Sequence, residues 1–316
     1  MVDSNDGQWE RGVIEKLALE ALKEQRRSRR WGIFFKLLGF AYLTFVLVLA
    51  MDWRVDGDSL SGSRHTALVE IAGVIDAKGD ASADRVMGAL QSAFKDKNTQ
   101  GVILRVNSPG GSPVQAGIIY DEIRRLRGLY PAIPMYAVVE DVCASGGYYI
   151  AAASDRIYVD KASLIGSIGV VMDGWGFTGA MDKLGVERRV LTAGENKAFL
   201  DPFSPADPKQ REYALAMLGD IHQQFIDVVK KGRGTRLKES PELFSGLIWT
   251  GKRSIELGLA DGLGSIDFVA REVIKAETIV DFTQKQNFAE RVAKRFGAGV
   301  AEAFGQSLGI RGTGLR

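Results

Sequence analysis

Cysteine is nearly absent: Cys143 stands alone in 316 residues. No disulfide can form within the chain, so oxidation does not hold this fold together. Histidine is scarce too, with only His65 and His222. A zinc site built from His and Cys would need most of that stock in one place, and no pair has ligand spacing. No metal and no cofactor is expected. Neither sign of charge dominates: 41 Lys and Arg against 39 Asp and Glu give a formal net charge of +2. That balance argues against nucleic acid as a partner. The one basic cluster, Arg26, Arg27, Arg29 and Arg30, adjoins an apolar segment, and that position accounts for it.

Apolar sequence, by contrast, is plentiful. Hydrophobic residues make up 46% and charged residues 25%, which suits a packed core rather than disorder. One stretch, Trp31 to Met51, carries Lys36 as its single charge, and Leu37 to Met51 carries none. A membrane span needs about 20 apolar residues at a helical rise of about 1.5 Å each. Residues 31–53 are therefore expected to form a transmembrane helix in contact with the lipid bilayer, with Trp31 and Trp53 at its two interfaces. Residues 1–30 precede the run, which fits an uncleaved anchor better than a signal peptide. Four arginines and Lys36 lie on the N-terminal side, and Asp52, Arg54, Asp56 and Asp58 follow the run. Positive charge stays inside. The expected topology is single-pass in the inner (cytoplasmic) membrane. The N-terminus is cytoplasmic and the bulk of the chain extracytoplasmic, which in a Gram-negative cell means periplasmic. Trp9, Val13, Leu17 and Ala21 recur every four positions and predict a helix over 9–25, either on the membrane surface or packed as a short cytoplasmic helix.

A Gly/Ser/Asp-rich linker over 54–65 leads to alternating strand and helix patterns. Strands are expected over 67–75, 101–106, 134–140, 156–160, 167–172 and 187–192. Helices are expected over 82–96, 113–129, 145–154, 177–184, 207–231 and 252–258. That alternation predicts an α/β domain of repeated, parallel β-α-β units. In such sheets functional groups gather at the carboxyl ends of strands.

Two strand-end loops stand out. NSPGGS, residues 107–112, offers paired glycines whose N–H groups can converge on an oxyanion, though a plain β-α turn uses the same residues. DVCASGGYYIAAAS, residues 141–154, places Ser145 at the start of a small-residue helix. A serine there is most often an N-cap. As a nucleophile it would need a base. No G-x-S-x-G elbow is present, and neither histidine lies in a strand-end loop. A Ser-Lys pair needs no histidine. The candidate is Lys197 in TAGENKAFLDPFSP, residues 192–205. An ordinary lysine titrates near 10.4, so work at neutral pH asks for a drop of about three units, roughly 4 kcal/mol. Burial beside Ala198, Phe199, Leu200 and Phe203 could supply it. Most loop lysines are simply solvated, and the residues alone leave this choice open.

LRVNSPGG, ASGGYYIA, GSIGV, AGENKAFLDPFSP, KGRG at 231–234 and TGKRSIELGLAD at 250–261 together resemble the short-form signal peptide peptidase A proteins, peptidase family S49. The resemblance covers about 66–275, taken as the peptidase domain, with 276–316 as a C-terminal extension. It implies a ClpP/crotonase-like fold and a membrane-anchored serine endopeptidase acting on cleaved signal peptides. It implies Ser145 as nucleophile, Lys197 as general base and Ser167 as the serine that orients the lysine. It also implies an oxyanion hole from Gly110 and Gly111 together with the N–H of Ser145. Related proteins form ring-like homo-oligomers whose serine and lysine come from neighbouring subunits. Cys143 departs from the usual pattern and reads as a small buried apolar residue. Rival readings are a crotonase-like acyl-CoA hydratase or isomerase, and a non-catalytic membrane scaffold. GWGFTG, residues 174–179, and GLIWTGKR, residues 246–253, only imitate nucleotide-binding motifs.

Overall fold

The computed structural model describes residues 6–51, 63–238 and 240–284. The chain divides into two compact units, Met1–Gly62 and Ser63–Arg316. In the first, α1 (Asp6–Met51) is one uninterrupted helix of 46 residues, so the helix expected over 9–25 and the apolar run share one element. From Trp31 to Phe45 its large apolar side chains are exposed, Phe40 by 71%. Among the described residues no helix is long and apolar enough to cross a membrane. The expected span ends beyond them, because Asp52 and Trp53 lie outside, as does most of the linker.

The second unit is α/β. Its first strand, β1 (His65–Ala72), is buried along nearly its whole length, as expected of a strand covered on both faces. After it come α2 (Ala83–Lys95), β2 (Thr99–Ser108), α3 (Pro113–Leu129), β3 (Met135–Ala144), α4 (Gly146–Ala151), β4 (Arg156–Val159) and β5 (Leu164–Gly166). The later elements are α5 (Thr178–Leu184), α6 (Pro208–Arg233), β6 (Ile248–Thr250), α7 (Gly251–Glu256), β7 (Gly262–Leu263), a helical stretch over 266–274, and β8 (Ile279–Asp281). The sheet order is β6-β5-β3-β2-β1-β8, and β4 pairs with both β3 and β7. Every pairing is parallel except β5 with β6. The long strand β3 is shared: Tyr136–Val138 pair with β4, and Val142–Ala144 pair with β5.

Sequence periodicity explains the layering. On α2, Val86, Ala89, Leu90, Ala93 and Phe94 recur at helical spacing, and all are buried. They pack with Ala67, Val69 and Ile71, the inward set of β1. α3 starts with Pro113 in its first turn, and the Ser112 hydroxyl accepts from the N–H of Gln115. The opposite sheet face carries Leu68, Ile103 and Val138 under Val269 and Ala270 of the 266–274 stretch. Each fully buried Ile or Leu contributes about 1.5–3 kcal/mol before entropy is counted.

Two expected strands are absent. Residues 167–172 lie beyond β5, because Gly166 (φ +121°) and Ser167 (φ +52°) turn the chain out of the sheet. Residues 187–192 pair with no strand, and Leu191 is 99% exposed. A short apolar run makes a strand only where a sheet edge is offered for it to pair with. The segment from Gly169 to Asp207 is instead an arm outside the sheet. α5 within it has no buried residue. The arm braces itself through the Phe177 N–H to Pro202 carbonyl bond (2.7 Å), Phe177–Phe203 stacking and an Arg188–Asp201 ion pair. At the other end of the chain, β8 joins β1 in the sheet, past the boundary expected at 275.

Candidate active site

Because the central strands run parallel, the ends of β1, β2, β3 and β5 lie along one side of the sheet. Three turns meet there. Ala144 pairs with Gly166 across β3 and β5, so Ser145 and Ser167 are the first residues beyond paired strand ends. Ser145 has φ 51° and ψ −123°, a conformation that costs a non-glycine residue about 1–3 kcal/mol. Its N–H donates to the Gly166 carbonyl at 2.9 Å, and its own carbonyl accepts from the Tyr149 N–H at 2.9 Å. Ser145 holds the N-cap position of α4, but its hydroxyl makes no capping hydrogen bond.

The glycine loop packs against this turn. The Ile75 N–H donates to the Gly110 carbonyl (2.9 Å), and the Ser112 N–H donates to the Ile75 carbonyl (2.8 Å). Gly110 has φ +101°, and a Cβ there would lie 2.6 Å from the Cβ of Ser145 and 2.8 Å from the nitrogen of Gly146. Only glycine allows this approach. The Gly110 N–H is engaged by Ser108 Oγ at 3.1 Å, and Ser108 Oγ donates to the Gly73 carbonyl at 2.6 Å. Of the three N–H groups expected to bind an oxyanion, those of Ser145 and Gly110 are therefore occupied. Among the described residues the N–H groups of Gly111 and Gly146 have no acceptor. The two residues lie close together: a Cβ on Gly146 would be 3.4 Å from the nitrogen of Gly111. The bracing by Ser108, fully buried, was not read from the sequence; its place at the end of β2 in NSPGG was the available signal.

Ser145, Ser167, Gly111 and Gly146 line one cavity of about 420 Å³. Pro113, Ala116, Tyr149, Ile221 and Phe225 supply much of its apolar wall, and no charged side chain lines it. Burial, with the nearby Asp121 and Tyr120, holds the Tyr149 phenol above its ordinary value, so it stays neutral. Cys143 is fully buried, and burial pushes its thiol up, which removes it as a rival nucleophile.

Lys197 is not brought to the cavity. It is exposed on the arm, with its N–H on the Gly194 carbonyl at 3.1 Å. His65 is buried at the start of β1, with Nδ1 2.9 Å from the Ser63 carbonyl. His222 lies on α6 and does not line the cavity. Among the described residues no group of His, Cys, Asp and Glu is arranged to hold a metal ion. Gly174, Gly176 and Gly179 of the nucleotide-like motif lie on the arm away from any strand end.

The profile of peptidase family S49 matches residues 129–281, a span that holds Ser145, Ser167 and Lys197. The chain is 49% identical over 179 residues to a Na(+)/H(+) antiporter NhaA of Brucella melitensis, covering 57% of this chain and 24% of that one. It is 32% identical over 194 residues to the candidate signal peptide peptidase SppA of Enterococcus faecium, covering 61% of this chain and 56% of that one. It is 31% identical over 205 residues to the candidate protease slr0021 of Synechocystis, covering 65% of this chain and 72% of that one. The chain thus spans between a quarter and just over half of the first two relatives. The Synechocystis match runs across most of that protein, and the profile covers the sheet from β3 to β8; the chain belongs to peptidase family S49.

Proposed function

We propose that this chain is a membrane-anchored serine endopeptidase with Ser145 as nucleophile and Lys197 as general base. The carrying observation is the Ser145 turn. Its backbone is strained, its hydroxyl caps nothing, and it stands beside two unpaired N–H groups in a cavity lined by no charged side chain. Attack by Ser145 Oγ on a peptide carbonyl would place the developing oxyanion against Gly111 and Gly146, the electrostatic aid that acyl transfer needs. Removing one such donor costs about 10²–10³ in kcat. The cavity contains no base of its own, and Lys197 sits on an exposed arm with apolar Val171 (85% exposed) and Trp175 (80%). We therefore assign the base to a neighbouring copy in a ring-like homo-oligomer, with Ser167 orienting the incoming lysine. Pro113, Ala116, Ile221 and Phe225 favour peptides with small or apolar side chains before the cut, as the centres of cleaved signal peptides have.

Anchoring is supported by the charge-free run Leu37–Met51 with arginines before it. The N-terminus then lies in the cytoplasm and the peptidase domain outside. A C-terminal phosphatase fusion should be active; an inactive fusion would reverse this topology. The test of function is digestion of an apolar peptide by the full chain in detergent, beside Ser145→Ala. Cleavage and fluorophosphonate labelling should both vanish in the variant. Full activity there ends the reading.

A further inference from the structure

His222 is one of two histidines, and it sits where the cavity wall is built. Its neighbours Ile221, Gln224 and Phe225 line the cavity, while its own ring turns to the chain behind Ser167. The ring Nε2 lies 3.2 Å from the carbonyl of Ile168. A carbonyl can only accept, so Nε2 carries the hydrogen, in the neutral ring as in the imidazolium. Ile168 is fully buried and stands between Ser167 and Gly169, both of which line the cavity. Ser167 is held at φ +52°, with its N–H on the Leu247 carbonyl at 2.7 Å. Two hydrogen bonds therefore clamp this turn: one from the backbone before β6, one from α6. Without the second, a buried carbonyl loses its donor and the strained serine loses one of its restraints.

We infer that His222 is a positioning residue for the catalytic site, holding Ser167 in register through the Ile168 carbonyl. This rests on the assignment of Ser145 and Ser167 made above. His222 itself does not line the cavity that holds Ser145, so its role in this site is to hold the chain behind Ser167.

The experiment measures kcat and KM for an apolar peptide with the full chain in detergent. The variants are His222→Leu, His222→Gln, Ser167→Ala and the double His222→Leu/Ser167→Ala, with Ser145→Ala alongside. His222→Leu should lower kcat about tenfold and leave KM within about twofold. Gln, whose amide N–H reaches the same carbonyl, should stay within about threefold of wild type. The double variant should be no slower than Ser167→Ala, because both changes act on one element. A full kcat for Leu, a Gln variant as slow as Leu, or multiplied losses in the double variant would each overturn the inference. If His222→Leu does not fold, Gln decides: wild-type rates support the clamp, and a tenfold loss refutes it. Activity in Ser145→Ala would instead strike the nucleophile assignment, a separate outcome.

Discussion

The N–H of Ser145 donates to the carbonyl of Gly166 at 2.9 Å, and this bond ties the end of β3 to the end of β5. Both serines of the site stand one residue past that junction, and both have positive φ. The strain in each turn is thus held by the other. Trp249 of β6 lies over the same junction, with its ring against Gly166.

Replacing Gly166 with alanine should break this arrangement. A Cβ there would meet the Trp249 ring at 2.7 Å and the Leu247 carbonyl at 2.8 Å, on a backbone at φ +121°. Strain and overpacking together should cost about 2–4 kcal/mol. Urea unfolding should show the lower midpoint, and peptide cleavage should fall further than stability alone accounts for. A variant with wild-type midpoint and rate would show that the junction tolerates a side chain.

Ser145→Ala should behave quite differently. A capping serine is worth about 1 kcal/mol, but this hydroxyl caps nothing. Thermal unfolding should therefore stay close to wild type while cleavage disappears. A loss of stability of a full cap's size would mean the hydroxyl serves the helix after all.

Much of this was legible beforehand, for physical reasons. α2 and α3 carry clean helical stripes, and the cores of β1 to β3 are apolar, because both faces of those strands are covered. Strand-end loops marked Ser145 and the glycine loop, whereas Ser167 came only from the family resemblance and fell inside an expected strand. The arm is the exception: residues 187–192 hold the short apolar run Val190–Leu191, yet they pair with no strand. β5, β6, β7 and β8 were missed because two or three residues carry no period. The oxyanion donors depended on which N–H groups the backbone already uses, and Ser108 and Gly166 decide that only once the chain is folded.

The end of α6 offers a pH test. Arg233, almost wholly buried, donates to Asp261 at 2.8 Å, and the Ile157 N–H donates to the same carboxylate at 2.7 Å. Burial pushes Asp261 upward, but the Arg233 hydrogen bond and charge, with Ile157 and Arg236, hold it below the ordinary carboxylate value. A depressed carboxyl stabilises the fold above its unfolded value, about 3.9, and that contribution is lost as pH falls through the folded value. The urea midpoint should drop as pH falls below about 4, and Asp261→Asn should flatten that drop. Asp261→Ala, which strands a buried guanidinium, should cost about 3–5 kcal/mol at neutral pH. An acid limb unchanged in the Asn variant would place the titration elsewhere.

Lys197 carries the sharpest consequence. The cavity around Ser145 is lined by no charged side chain, while Lys197 stands exposed on the arm. If a neighbouring copy supplies the base, neither Ser145→Ala nor Lys197→Ala can work alone, but a mixture can. Each productive interface needs the serine of one variant and the lysine of the other. Random mixing at equal amounts should restore roughly a quarter of wild-type turnover. Lys197→Arg should stay inactive in every mixture that lacks a lysine donor, because guanidinium keeps its charge at any usable pH. Mixed assemblies can be verified with two affinity tags before turnover is measured. No recovery in verified mixtures would place serine and lysine within one chain, by a movement of the arm onto its own cavity. Full activity of Lys197→Ala alone would remove the lysine from the mechanism altogether.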